Sequence, residues 1–157
     1  DIIKAVSDAG MAVMAHIGIR PQSIGKIGKL KAQASTAELG LQLICLAEKT
    51  IQAGASSLLL EGAACEVAEI ITKRSEVPVI GCGSGPFCDG QILIAPDILG
   101  FTQEQVPKFS KTFARFAADA VDAFNAYSKE IKTGLFPDDN HSYHMKTGEL
   151  EKLLKSI

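Results

Sequence analysis

Apolar residues run along this chain in short blocks of two kinds. Met11-Ala12-Val13-Met14-Ala15, Ser56-Ser57-Leu58-Leu59-Leu60, Val77-Pro78-Val79-Ile80 and Ile92-Leu93-Ile94 are nearly continuous. Runs of that length bounded by glycine or polar residues predict buried parallel strands. The other blocks have helical spacing. Asp1 to Ala9 carries Ile2, Ile3 and Val6 on one face and is closed by Gly10. Ser35-Thr36-Ala37-Glu38 fits a capping box, and Leu39, Leu43, Leu46, Ala47 and Ile51 follow it to about Ala53, before Gly54. A second helix is predicted over about Cys65 to Lys73, with Val67, Ile70 and Ile71 facing inward. From Thr102 to Lys132, Val106, Phe109, Phe113, Phe116, Ala120, Phe124, Tyr127 and Ile131 recur at steps of three and four. That wide stripe predicts a long core helix with a break near Ala114 to Ala118. Residues 147–157 read as a short terminal helix or a frayed tail.

Strands alternating with helices over short links predict parallel βαβ units. Polar chemistry then stands at the predicted strand ends: His16 after the first, Glu61 after the second, and Gly81-Cys82-Gly83-Ser84-Gly85 after the third. α/β enzymes place their chemistry at the C-terminal ends of such strands. Each feature also has a structural reading. Glu61 can serve the N-terminus of the next helix, His16 can be a satisfied core residue, and the glycines can form a tight turn. The glycine spacing is not the dinucleotide fingerprint. Four strands fit either the second half of a (β/α)8 barrel or a small open sheet.

Composition narrows the classes. The 157 residues suffice for one domain with a core, and 46% hydrophobic with 22% charged residues is ordinary for a globular protein. A net charge of −2 gives no electrostatic footprint for nucleic acid. No apolar run approaches the roughly 20 residues of a membrane span. No secretory leader is expected, and the missing initial Met suggests a fragment or a processed chain. Cys45, Cys65, Cys82 and Cys88 form no C-x-x-C pair, which predicts reduced thiols in a cytoplasmic protein and not a zinc site. The long loop from Arg20 to Ala34, with Lys26, Lys29 and Lys31, reads as a solvated basic loop or an anion-binding lid. His141 and His144 lie three apart in a polar loop without helical support.

Five blocks, in order, resemble the ketopantoate hydroxymethyltransferase (3-methyl-2-oxobutanoate hydroxymethyltransferase) family. They are His16-Ile17-Gly18-Ile19-Arg20-Pro21-Gln22-Ser23, Leu58-Leu59-Leu60-Glu61, Val77 through Gly85, Asp89-Gly90-Gln91-Ile92-Leu93, and Val106-Pro107-Lys108-Phe109 with Phe136-Pro137 to His144. The likeness covers residues 1 to 144 and corresponds to the C-terminal part of the family's chain. It implies a (β/α)8 TIM barrel of the phosphoenolpyruvate mutase/isocitrate lyase type, of which this chain supplies about the C-terminal half. Residues 1–144 would belong to that single domain, and 145–157 would be a tail.

The resemblance further implies transfer of a hydroxymethyl group from 5,10-methylenetetrahydrofolate to 2-oxoisovalerate, giving ketopantoate for pantothenate and coenzyme A synthesis. Glu61 would be the general base and His16 would contact the bound oxo acid. A Mg2+ ion would hold that acid through aspartates on the first strands, outside this chain, so no metal ligand is expected here. The N-terminal half of the barrel and further copies in a homo-oligomer are the implied partners. The chain departs from the family at Gly28-Lys29-Leu30 (usually Gly-Gly-Tyr), Gly62-Ala63-Ala64 (Cys-Val-Pro) and Ala95-Pro96-Asp97 (Met-His-Asp type). Those departures keep two alternatives open: a superfamily member acting on another 2-oxo acid by lyase or aldol chemistry, or a non-catalytic binding or assembly domain.

Overall fold

The computed structural model describes residues 1–23, 25, 31–102 and 106–157. The expected lid lysines Lys26 and Lys29, and the Gly28-Lys29-Leu30 departure, lie outside the described residues. The chain resolves into two compact units, Asp1–Ala114 and Arg115–Ile157.

The first unit is α/β. Its elements are α1 (Ile2–Asp8), β1 (Met14–Gly18), α2 (Ala37–Gln52), β2 (Ser57–Glu61), α3 (Cys65–Arg74), β3 (Val79–Cys82), β4 (Gly90–Gln91) and α4 (Ala95–Leu99), with a 3-10 turn at Pro21–Ser23. The four strands form one parallel sheet in the order β1-β2-β3-β4. Along it Met14 pairs with Ser57 and Gly18 with Glu61, then Leu58 with Val79 and Glu61 with Cys82. Strand alternation divides the residues between two faces. Ala15, Ile17, Leu58, Leu60 and Val79 are buried, and they form the core with Leu43 and Ala47 of α2 and Ala68 and Ile71 of α3. His16, Leu59, Glu61, Ile80 and Cys82 alternate with them and are only half-buried, while Met14 is exposed. The helices α2 and α3 therefore cover one face of the sheet. All-parallel sheets elsewhere bury both faces.

Several expectations shift by a few residues, for identifiable reasons. The apolar run predicts a first strand at Met11–Ala15 ending at His16, but β1 runs to Gly18 and His16 lies inside it, opposite Leu59. The Val13 amide donates to the Ser56 hydroxyl at 3.0 Å and its carbonyl accepts from the Ser56 amide at 2.9 Å, so pairing with β2 starts at Val13 and Met14 and carries on past His16. Thr36, not Ser35, caps α2, its Oγ1 accepting from the Leu39 amide at 3.3 Å. In α3 Val67 and Ile71 pack inward as expected and Ala68 is buried with them, while Ile70 is exposed. The expected strand at Ile92–Ile94 is displaced to Gly90–Gln91, leaving Ile92 and Ile94 exposed.

The long helix expected from Thr102 begins only at Phe116: α5 spans Phe116–Thr133. Residues 106–115 are irregular. Pro107 cannot donate an interior helical hydrogen bond. Tertiary contacts hold its neighbours, since the Phe113 amide donates to the Ile98 carbonyl at 2.8 Å. In the second unit α5 is followed by a 3-10 turn at Asp139–His141 and by α6 (Glu149–Leu154). The aromatic stripe of α5 is not core: the helix has no buried residue, and Phe124 and Tyr127 are exposed. The Tyr127 and Phe136 rings meet edge to face at 5.8 Å. The two histidines of this unit are engaged by carboxylates, His141 by Asp138 and His144 by Asp139.

Candidate active site at the strand ends

β2 carries Glu61 to the end of the sheet, and the backbone there is held from both neighbours. The Ile19 amide donates to the Glu61 carbonyl at 2.8 Å, and the Gly62 amide donates to the Cys82 carbonyl at 2.8 Å. Gly18 sits opposite Glu61 with φ +90°, and a Cβ there would overlap the Glu61 carbonyl oxygen. Only glycine takes that conformation and that proximity without strain. Beyond the strand, Ser84 is fully buried. Its hydroxyl donates to the Leu60 carbonyl at 2.8 Å and accepts from the Ala63 amide at 3.1 Å. The glycine-rich loop after β3 is thereby tied to the residues on both sides of Glu61-Gly62.

The two site residues singled out in the sequence come together. His16 Nε2 lies 3.0 Å from Glu61 Oε2, with the side chains 26% and 15% exposed. The pair is close in distance but poorly aligned, because the buried Nε2 has no partner of good hydrogen-bond geometry. It is a close polar contact and not a formed hydrogen bond. The histidine is two residues short of its strand end, and period-two alternation is what points it to the same face as Glu61.

Cys82 stands beside Glu61 across the β2–β3 register. Burial pushes its thiol up from the ordinary range, and the negative charges of Glu61 and then Asp97 push it further. Asp97 is itself 2% exposed and accepts from the Thr102 hydroxyl at 2.6 Å. Neither Ser84 nor Asp97 was singled out from sequence. The serine at the centre of Gly81–Gly85 was the available signal for the first. For the second the signal was its place in the Ala95-Pro96-Asp97 departure from the family pattern, which marks the position without giving it a role.

Glu61 opens onto a cavity of about 840 Å3, walled by Ile19, the Gly83–Gly85 loop, and the Val106–Phe109 segment. Phe109 packs its ring directly on Gly83, where a Cβ would collide with it. His16 faces a neighbouring hollow of about 530 Å3 along the β1 edge. A site of this size with mostly apolar walls and a few polar groups suits a small organic ligand. Among the described residues, no group of three or more His, Cys, Asp or Glu could hold a metal ion. No helix of the described residues is long and apolar enough to cross a membrane.

Known proteins match this chain closely. The model of the family described as ketopantoate hydroxymethyltransferase matches residues 1–139. A 3-methyl-2-oxobutanoate hydroxymethyltransferase from Thermoanaerobacter sp. (strain X514) is 43% identical over 148 residues, covering 94% of this chain and 54% of that protein. One from Clostridium acetobutylicum is 41% identical over 155 residues, with 99% and 56% covered. The protein called 3-methyl-2-oxobutanoate hydroxymethyltransferase 1 in Methylibium petroleiphilum is 39% identical over 156 residues, with 99% and 53% covered. The chain thus spans about half the length of the curated relatives it matches. It belongs to the ketopantoate hydroxymethyltransferase family.

Proposed function

We propose that this chain supplies about half of a (β/α)8 barrel, and that the assembled barrel transfers a hydroxymethyl group from 5,10-methylenetetrahydrofolate to 2-oxoisovalerate. Glu61 is the base. The observation that carries the reading is the placement of Glu61 at the C-terminal end of β2, within 3.0 Å of His16 and open to the large cavity. The sheet supports the barrel: four parallel strands in sequence order, with helices on one face, are what half of such a barrel contains. The half-buried face carrying His16, Glu61 and Cys82 becomes the interior once the missing strands close it. The edges of β1 and β4 then find partners.

The chemistry follows from a carboxylate at that place. Glu61 takes the proton from C3 of the 2-oxo acid, giving an enolate. C3 then forms a carbon–carbon bond to the one-carbon unit, and with one water consumed the products are ketopantoate and tetrahydrofolate. His16 touches Glu61 and reaches the same face, which suits contact with the bound oxo acid. Mg2+ belongs to the proposal, and its site lies outside the described residues, which form no metal-holding group. When bound, such an ion stabilises the enolate oxygen. Its ligands, a homo-oligomeric assembly and a cytoplasmic location are part of the same proposal.

A second 2-oxo acid is the runner-up substrate, because Gly62 and Ala63 beside Glu61 are small and line the cavity. The test is exchange of the C3 hydrogen of 2-oxoisovalerate in deuterated water by the assembled protein. Glu61→Gln should slow exchange by about 10²–10⁴-fold, the usual worth of a positioned base. Exchange at the wild-type rate in that variant removes Glu61 from the role. Exchange of a different 2-oxo acid alone favours the runner-up.

A further inference from the structure

Among the described residues, two lysines, Lys31 and Lys108, line the cavity together with Glu61. The Glu61 carboxylate at the end of β2 repels an anionic ligand, and the nearby Asp97 adds to the negative field felt at Cys82. A site that accepts a carboxylic acid next to a carboxylate base needs compensating cations. The two lysines sit on pinned backbone. The Lys31 carbonyl accepts from Gln33 Nε2 at 2.8 Å, while the Gln33 amide donates to the Gly62 carbonyl at 2.8 Å and the Ala64 amide donates to the Gln33 carbonyl at 3.0 Å. The Lys31 segment is thereby fastened to the chain immediately after Glu61. Lys108 is next to Phe109, whose ring seats on Gly83 at the end of β3. Both side chains are exposed, and among the described residues neither has an ion-pair partner.

We infer that Lys31 and Lys108 form a carboxylate-binding edge of the Glu61 cavity and hold the anionic part of its ligand. This rests on the function proposed above and names the residues that recognise its substrates. A carboxylate could come from the 2-oxo acid or from the glutamate tail of the folate donor. The apolar wall of Ile19, Val106 and Phe109 would take the uncharged part of either.

The test is equilibrium binding to the assembled protein, measured by calorimetry without turnover. The ligands are 2-oxoisovalerate, and separately tetrahydrofolate with one or several glutamates. Lys31→Ala and Lys108→Ala should each weaken one ligand about threefold to tenfold, as exposed charged hydrogen bonds do. The double variant should lose more, along with most of the salt dependence of binding, and Lys108→Arg should keep much of the wild-type affinity. Weakening confined to 2-oxoisovalerate assigns the edge to the oxo acid. Weakening that grows with glutamate number assigns it to the donor. A double variant that binds both ligands like wild type overturns the inference while leaving the proposed function intact. A wild-type protein that binds neither ligand overturns both.

Discussion

The two faces of the β1–β4 sheet carry similar numbers of apolar residues but are used in opposite ways. On the helix-covered face, Leu58 and Val79 are sealed between strands and helices, and Leu60 is 0% exposed. On the other, Leu59 and Ile80 stand half-buried beside His16, Glu61 and Cys82. The covered face is where the fold is held, and the open face is where the chemistry sits. The difference separates stability from function residue by residue, since neighbours along one strand fall on opposite faces.

The largest contrast is between Leu60 and Leu59. Leu60→Ala removes a fully buried side chain from the core and should cost about 2–5 kcal/mol of stability. Leu59→Ala in the chain alone should cost about 1 kcal/mol, because that side chain is only partly buried. Denaturant midpoints of the two variants check this. In the assembled barrel the Leu59 cost should rise toward that of Leu60. A Leu59 cost that stays small after assembly would mean that the open face is not an interior.

Gly18 tests the coupling of the faces through the backbone. Gly18→Ala keeps every contact of the covered face yet drives a Cβ into the Glu61 carbonyl at φ +90°. The expected loss is about 1–3 kcal/mol. It should come with slower C3 exchange, since the displaced backbone carries the base. Loss of stability with unchanged exchange would mean that the Glu61 side chain does not depend on this strand crossing.

The two faces also differ in how legible they were. The covered face could be read from composition, because Leu58-Leu59-Leu60 between Gly54 and Gly62 is unmistakable as a strand. Glu61 at its end followed directly. The open face was harder. The apolar run stops at Ala15 and so places His16 beyond its strand, but pairing depends on backbone partners, and these continue to Gly18 opposite Glu61. The aromatic spacing from Val106 to Ile131 satisfies a helix throughout, yet Pro107, the Phe109–Gly83 contact and the Phe113–Ile98 hydrogen bond hold the first part irregular. Spacing records which face a residue could share, not which contact wins. Asp97 and Ser84 fall in stretches the sequence marks, but their roles lie in tertiary hydrogen bonds with no local pattern.

The smallest expected effect reports on the open face without any turnover. The Cys82 thiol is held above its ordinary range by burial first, then by Glu61 and Asp97. A raised thiol pKa means less thiolate at a given pH, so Cys82 should alkylate more slowly than the exposed Cys45, and its rate should climb only at higher pH. Glu61→Gln deletes a neighbouring negative charge. The pKa should fall, the thiolate fraction at fixed pH should rise, and labelling of Cys82 should accelerate. Asp97→Asn should act in the same direction but less, as the weaker of the two charges. Burial remains in both variants, so neither should bring Cys82 to the rate of Cys45. Mass-resolved alkylation across a pH series measures all of this in the chain alone. If Glu61→Gln leaves the Cys82 profile unmoved, the two side chains do not share one field at the strand ends, and the open face loses its claim to be a single site.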